Sequence, residues 1–424
     1  MLSVKPGWKL SPVFGVLGKM DRRHFINTLG VTGTLAAVGG LTGSLGAAPN
    51  SSGKEDGKPF LNGTPAVFAP TKNSITVVWT LNSPALVWVE YGETEQLGKV
   101  AGSDAYGYVP HDERVVKVRL QGLKPGTRYY WRSVAKPLRG STETRSKIYT
   151  CKTLDDTASS VKFSVWNDTH DNAETIQKLH ARVRGGADDF LLWNGDVSNN
   201  VNRIDMIPGL YVSPKGVDLA EGPPILMTRG NHDVRGIWSN KMSDYVDFPG
   251  NRPFYAFRVG PVAVIALDTG EDKPDSHPSF QGVAAFEPLI KEQAAWLEEV
   301  IRRPEMRDAP YRVVFCHIPL RWLKEEQPDY DKGGFDHVSL RGRAAWGDAL
   351  MRWGMQVVIS GHTHRRAWIP PNTEFPYGQL VGGGPRMDGA TIIRGSADGT
   401  KLRLVVESAK DGSVLEDQSF LPLK

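Results

Sequence analysis

The spacing of apolar positions divides the chain into regions of different texture. Between residues 64 and 153 the runs SITVVWTL, ALVWVEYG, RVVKVRLQGL, RYYWRSVA and KIYTCKTL are short, alternate apolar with polar positions, and are separated by turn residues. Strands of that length and spacing predict an antiparallel β-sandwich. From about Val161 the pattern changes to apolar strands alternating with amphipathic helices. AETIQKLHARV (173–183) sets Ile176, Leu179 and Val183 at helical spacing, and EPLIKEQAAWLEEVI (287–301) does the same with Leu289, Trp296, Leu297 and Val300. That alternation predicts an α/β domain over residues 160–424.

Residues 49–63 are polar and Gly-rich, a linker by composition. Ahead of them, DRRHFI (21–26) places Arg22 and Arg23 before Phe25 and Ile26, and a weakly apolar stretch follows to GAAPN (46–50). This resembles a twin-arginine export signal cleaved near Ala48, which implies that residues 1–48 are a signal peptide. The arginine pair of such signals lies near the start, which makes Met20 a candidate start beside Met1. Gly and Thr interrupt the stretch, which falls short of the ~20 apolar residues of a membrane span. The expected partners are therefore the twin-arginine translocation machinery, with no stable span after cleavage and a periplasmic or secreted product. Within the sandwich, LKPGTRYYW (123–131) resembles the tyrosine corner of fibronectin type III domains, with Tyr129 as the corner residue. Trp79, Trp88 and Trp131 are expected to pack rather than to bind a ligand.

The chain has 424 residues, 40% hydrophobic and 23% charged, an ordinary globular balance with room for two domains. A net charge of +4 from scattered Lys and Arg offers no nucleic-acid surface. Cys151 and Cys316 have neither metal-type nor redox-type spacing and read as small core residues, with a disulfide left open.

Open α/β sheets bind ligands beyond the carboxyl ends of their strands. Those ends carry a pattern. VKFSVWNDTH ends in Asp168 and His170, DFLLWNGD in Asp196, PILMTRGNHD in Asn231, His232 and Asp233, YRVVFCH in His317, and VVISGHTH in His362 and His364. Alone, GHTH is compatible with a solvated turn. Together these ends hold five of the ten histidines, which points to a metal centre.

In this order and spacing the set resembles the calcineurin-like metallophosphoesterase superfamily, from Asp168 to His364. The resemblance implies a two-sheet αββα sandwich, here preceded by an all-β fibronectin type III-like domain over residues 64–153. It also implies two divalent metal ions (Fe, Mn or Zn) bridged by an aspartate and a hydroxide that attacks a phosphate ester. Carried over, one ion takes Asp168, His170, Asp196 and His364, and the other takes Asp196, Asn231, His317 and His362, with the two Asp196 oxygens reaching both ions. His232 is implied to meet the leaving group or the phosphate, oriented by Asp233. Arg229 resembles the phosphate-clamping arginine of serine/threonine phosphatases, and a local salt bridge is its other reading.

The pairing of a fibronectin-like domain with this motif set resembles purple acid phosphatases and related alkaline phosphatases. Asn199 stands where purple enzymes carry their metal-bound tyrosine, and His170 has no counterpart in them, which implies a non-purple branch with a divalent first ion. The implied function is an exported phosphomonoesterase. A phosphodiesterase or nucleotidase is the alternative, and an extracellular binding protein with a structural metal site is the alternative of another class. Segments 200–222, 271–286 and 321–338 are long enough to be lids over the site, the third carrying Trp322, Tyr330 and His337.

Overall fold

Because the apolar runs Phe190–Asn194 and Ile225–Thr228 have no alternation, both faces of those strands must be covered, and beside them only Lys162 of Val161–Trp166 is exposed. Val161–Trp166, Phe190–Asn194 and Ile225–Thr228 accordingly pair in parallel at the centre of a large sheet. The computed structural model describes residues 62–102, 107–109, 115–139, 141–323 and 336–424. The expected signal peptide and most of the expected linker lie outside the described residues, as do Tyr330 and the side chain of His337. Residues 57–424 cluster as one unit.

The first sheet has nine strands, in the order Val414–Phe420, Leu402–Ser408, Thr391–Ala397, Val161–Trp166, Phe190–Asn194, Ile225–Thr228, Ala66–Phe68, Ser74–Thr80 and Val115–Gln121. The second has six, in the order Tyr255–Val259, Val262–Leu267, Tyr311–Cys316, Val357–Ser360, Gly378–Val381 and Ala367–Ile369. The two sheets share one core, in which Phe163 and Phe190 of the first meet Phe315 and Phe257 of the second. Helix Ala173–Val183 buries Ile176, Leu179 and Val183 in that core, and its N-cap Asn172 accepts from the Thr175 N–H. Helices Phe286–Val300 and Asp336–Trp353 cover the second sheet, contributing Trp296, Leu297, Trp346 and Leu350. In the first of these Ile290 is buried and Leu289 only partly, a small shift from the expected face. This is the expected αββα arrangement.

The predicted sandwich strands form as well, and they do not stand apart from the α/β sheet. Phe68 pairs in parallel with Ile225, so strands 66–68, 74–80 and 115–121 prolong the nine-stranded sheet across the boundary between the two sequence textures. A five-stranded sheet (Lys99–Ala101, Ala85–Gly92, Arg128–Pro137, Thr144–Arg145 and Tyr149–Lys152) packs on that extension around Trp79, Val118, Tyr129 and Trp131. The Lys124 N–H donates to the Tyr129 hydroxyl at 3.0 Å, the corner bond expected from sequence. Cys151 and Cys316 are both buried and free.

Segment 200–222 is not a lid. Its short turns bury Ile207, Leu210, Tyr211 and Val212 in the main core, so its length serves packing. Among the described residues no helix is long and apolar enough to cross a membrane.

Candidate metal centre

Each site side chain follows the carboxyl end of a buried strand, where the chain turns sharply. Asp168, His170, Asp196, His362 and His364 all have positive φ, between 44° and 70°. This left-handed region is sparsely populated by non-glycine residues, though Asp and His tolerate it best. It folds each ligand back over the sheet edge. Gly230 and Gly361 make room: a Cβ on the first would lie 2.2 Å from Asp196 Oδ1, and one on the second 2.4 Å from Asp168 Oδ2.

All seven expected ligands converge, in two donor groups. Asp168, His170, Asp196 and His364 form one, and Asp196, His317 and His362 the other, with donor atoms of each group within 4.8 Å of one another. Asn231 joins the second, its Oδ1 being 2.8 Å from His362 Nδ1. Asp196 Oδ2 lies 3.3 Å from His170 Nε2 and 3.1 Å from His317 Nε2. Asp196 Oδ1 instead accepts the His232 N–H at 2.9 Å. Asp196 Oδ2 thus faces one histidine of each donor group, while its Oδ1 holds a backbone N–H.

Hydrogen bonds behind the ligands set their tautomers. The Asn194 carbonyl accepts from His317 Nδ1 at 2.9 Å, which turns Nε2 inward. That Nε2 is buried and faces Asp196 Oδ2 at 3.1 Å and Asp168 Oδ1 at 3.8 Å. His170 Nδ1 donates to Asn199 Oδ1 at 3.1 Å, leaving its Nε2 only 2.9 Å from His364 Nε2. Two lone-pair nitrogens at that distance need a shared cation or proton between them. Donors held at roughly 2.0–2.2 Å from one ion stand about 3 Å apart, as these do. Imidazole, carboxylate and amide donors fit the borderline divalent ions.

Burial and neighbouring charge shape the protonation of the ion-free centre. Burial disfavours charge on His317, but Asp196 and Asp168 outweigh it and hold His317 up at about 10. Burial, with Asp196 beside it, raises Asp168 to about 6. Burial depresses His362 to about 3 and, together with His170, His364 to about 4, so both offer lone pairs at neutral pH. Ligands must be deprotonated to bind, so an ion would displace the His317 proton.

The catalytic candidates are placed differently from expectation. Asp233 is fully buried and does not orient His232. Its carboxylate accepts the N–H groups of Val197, Ser198 and Gly230 and the Tyr211 hydroxyl, tying the Asp196 turn to the Asn231 turn. The Asn199 carbonyl accepts from His232 Nδ1 at 2.8 Å instead. Arg229 is in the local ion pair, with Nε 2.6 Å from Asp268 Oδ2. The Trp322 ring packs at 6.1 Å against that of His362. Sequence reasoning missed Arg235, Glu271 and Asp272. Arg235 binds both carboxylates, and Asp272 accepts from Asn231 Nδ2 at 3.4 Å. Both acids follow strand Val262–Leu267, a sixth apolar run with polar residues at its carboxyl end, which was the available signal.

Comparison with known proteins agrees with this geometry. The family model for calcineurin-like phosphoesterase matches residues 161–366. Serine/threonine-protein phosphatase CPPED1 of Pongo abelii is 28% identical over 145 residues, covering 34% of this chain and 42% of that protein. Purple acid phosphatase 21 of Arabidopsis thaliana is 25% identical over 298 residues, covering 65% of this chain and 59% of that protein. The chain thus spans 42% to 59% of the length of these curated relatives. The solved purple acid phosphatase PPD1 from yellow lupin (Lupinus luteus) seeds shares the fold, with a TM-score of 0.62 at 15% identity over 84% of this chain and 74% of that one. With the ligand turns, the two-sheet core and the matched segment in agreement, this chain carries a calcineurin-like metallophosphoesterase domain.

Proposed function

We propose that this protein is an exported, dinuclear metal-dependent phosphomonoesterase. The observation that carries the reading is the shared oxygen: Asp196 Oδ2 faces His170 Nε2 at 3.3 Å and His317 Nε2 at 3.1 Å, one from each donor group. Asp168, His170, Asp196 and His364 hold the first ion, and Asp196, Asn231, His317 and His362 the second. Two divalent ions supply Lewis-acid polarisation of the phosphoryl oxygens and a lowered pKa for the attacking water.

The protein's own contribution is charge balance and position. Its two ligand carboxylates offset only part of the charge of two divalent ions, and the remaining ligands are neutral, so the centre attracts a phosphate dianion. The buried Asp233 locks the turns that carry Asp196 and Asn231 to each other. His232 stands beside the first donor group, its ring 4.7 Å from that of His170. Names of relatives support the ester chemistry: CPPED1 is a serine/threonine-protein phosphatase, and the Arabidopsis relative is a purple acid phosphatase. The DRRHFI motif supports export.

A metal-supplemented panel of phosphate mono- and diesters tests the reading, together with metal analysis of Asp196→Asn. We expect monoesters to turn over faster, and the variant to lose both ions and turnover while keeping its circular dichroism spectrum. Full activity with one ion per chain would sink the two-ion reading, and preferential diester cleavage would replace monoesterase with phosphodiesterase.

A further inference from the structure

Arg235 lies three residues beyond His232 and is clamped on several sides. Its backbone carbonyl accepts the Val201 N–H at 2.8 Å. Nε and Nη2 make a fork to Glu271, at 2.6 and 2.9 Å, and Nη2 also reaches Asp272 Oδ1 at 2.5 Å. Nη1 lies 3.1 Å from His232 Nε2. A guanidinium only donates, so His232 Nε2 is the acceptor of that bond, and His232 Nδ1, facing the Asn199 carbonyl at 2.8 Å, is the ring N–H. Both ring nitrogens are thereby assigned by the direction of their bonds.

A guanidinium has five N–H groups. Four are accounted for, and the fifth, on Nη1, has no partner among the described residues, on a side chain that is 21% exposed. Glu271 is fully buried, so the fork to it cannot open without leaving an unpaired buried carboxylate. The cluster is also neutral as a whole, since Arg235 and Lys273 balance Glu271 and Asp272, and it does not repel an incoming anion. Nη1 thus stands one imidazole away from the first donor group, rigid, charged and with a donor to spare.

We propose that Arg235 contacts the substrate, donating its remaining Nη1 N–H to a phosphate oxygen and favouring monoester dianions over diester monoanions. This rests on the phosphoesterase reading above. Lysine cannot reproduce the role, because its point charge cannot span Glu271 and a phosphate oxygen with the same fixed geometry.

The test uses the full chain reconstituted with Mn2+. Arg235→Lys keeps a cation for Glu271 and removes the Nη1 donors. It is expected to keep its metal content and cooperative fold, at a melting temperature lowered by the lost fork to Glu271, and to lose about 10- to 100-fold in kcat/KM on p-nitrophenyl phosphate, the range for one charged hydrogen bond. Bis(p-nitrophenyl) phosphate hydrolysis should change by less than about threefold, within the small effect of a contact that a diester does not use. Calorimetric affinity for inorganic phosphate should fall with the monoester rate. The double variant Arg235→Met with Glu271→Gln, which removes the buried charge along with its partner, should show the same losses. Equal losses on both esters, unchanged phosphate affinity, or loss of metal or fold in Arg235→Lys would each overturn the proposal and make Arg235 a structural strut. If the unaltered protein cleaves neither ester while Arg235→Lys still weakens phosphate binding, the phosphoesterase reading fails and the anion contact stands.

Discussion

Asn199 holds two neighbouring histidines of the candidate centre. Its Oδ1 accepts from His170 Nδ1, its Nδ2 donates to the His170 carbonyl at 3.1 Å, and its own carbonyl accepts from His232 Nδ1. The position marked on sequence as lacking a tyrosine is therefore a support for the extra imidazole. Partners of this kind raise metal affinity by fixing ring orientation, typically about 10- to 100-fold. Asn199→Ala should weaken the first ion by that factor in a chelator-competition titration and leave the second unchanged. Equal weakening of both ions would mean that the substitution collapses the whole edge. Asp233, next to His232 in sequence, instead accepts backbone N–H groups from two turns.

Between elements, polar contacts pin loops to strands at places remote from the ligands. Asp247, next to the short helix Met242–Tyr245, accepts from Thr76 at 2.5 Å and from Arg119 at 2.6 Å, and lies 3.3 Å from Lys117, all on the outer strands of the nine-stranded sheet. Burial alone would raise its carboxyl, but Lys117, Thr76 and Arg119 outweigh burial and hold it below the ordinary value. A folded-state pKa below the unfolded value stabilises the fold at pH above the unfolded value, about 3.9, and that stability is lost as pH falls through the folded pKa. Asp247→Asn should therefore cost about 1–3 kcal/mol at neutral pH. The gap to the unaltered protein should begin to narrow below about pH 4 and close once the pH passes below the folded-state pKa, as denaturant melts would show. A gap that persists at low pH would assign the effect to packing.

At the scale of the whole molecule, the centre exists only when distant segments have met. Ligands run from Asp168 to His364, and strand 391–397, which pairs with 161–166, arrives after all of them. The outer strands of the same sheet come from residues 66–121, ahead of every ligand. The two donor groups therefore assemble from turns that lie far apart along the chain. Replacing Arg22 and Arg23 by Lys should leave active, metal-loaded protein in the cytoplasm, as cell fractionation with an ester assay would show. Undiminished export of the variant would refute the twin-arginine assignment.

The sequence by itself located the candidate ligand residues that converge in the structure, the α/β layers and the sandwich strands. These depend on local pattern, because each ligand lies within a few residues of the end of an apolar run whose period is readable in place. Tertiary structure alone decided which Asp196 oxygen faces both donor groups, that Asp233 braces turns, that segment 200–222 packs inward, and that Arg235 meets Glu271 and Asp272. It also decided that the sandwich and the α/β sheet are joined through Phe68 and Ile225. The physical reason is range. Periodicity reports which face of an element is buried, whereas the partner of a carboxylate, a guanidinium or a strand edge is set by distances between residues far apart along the chain.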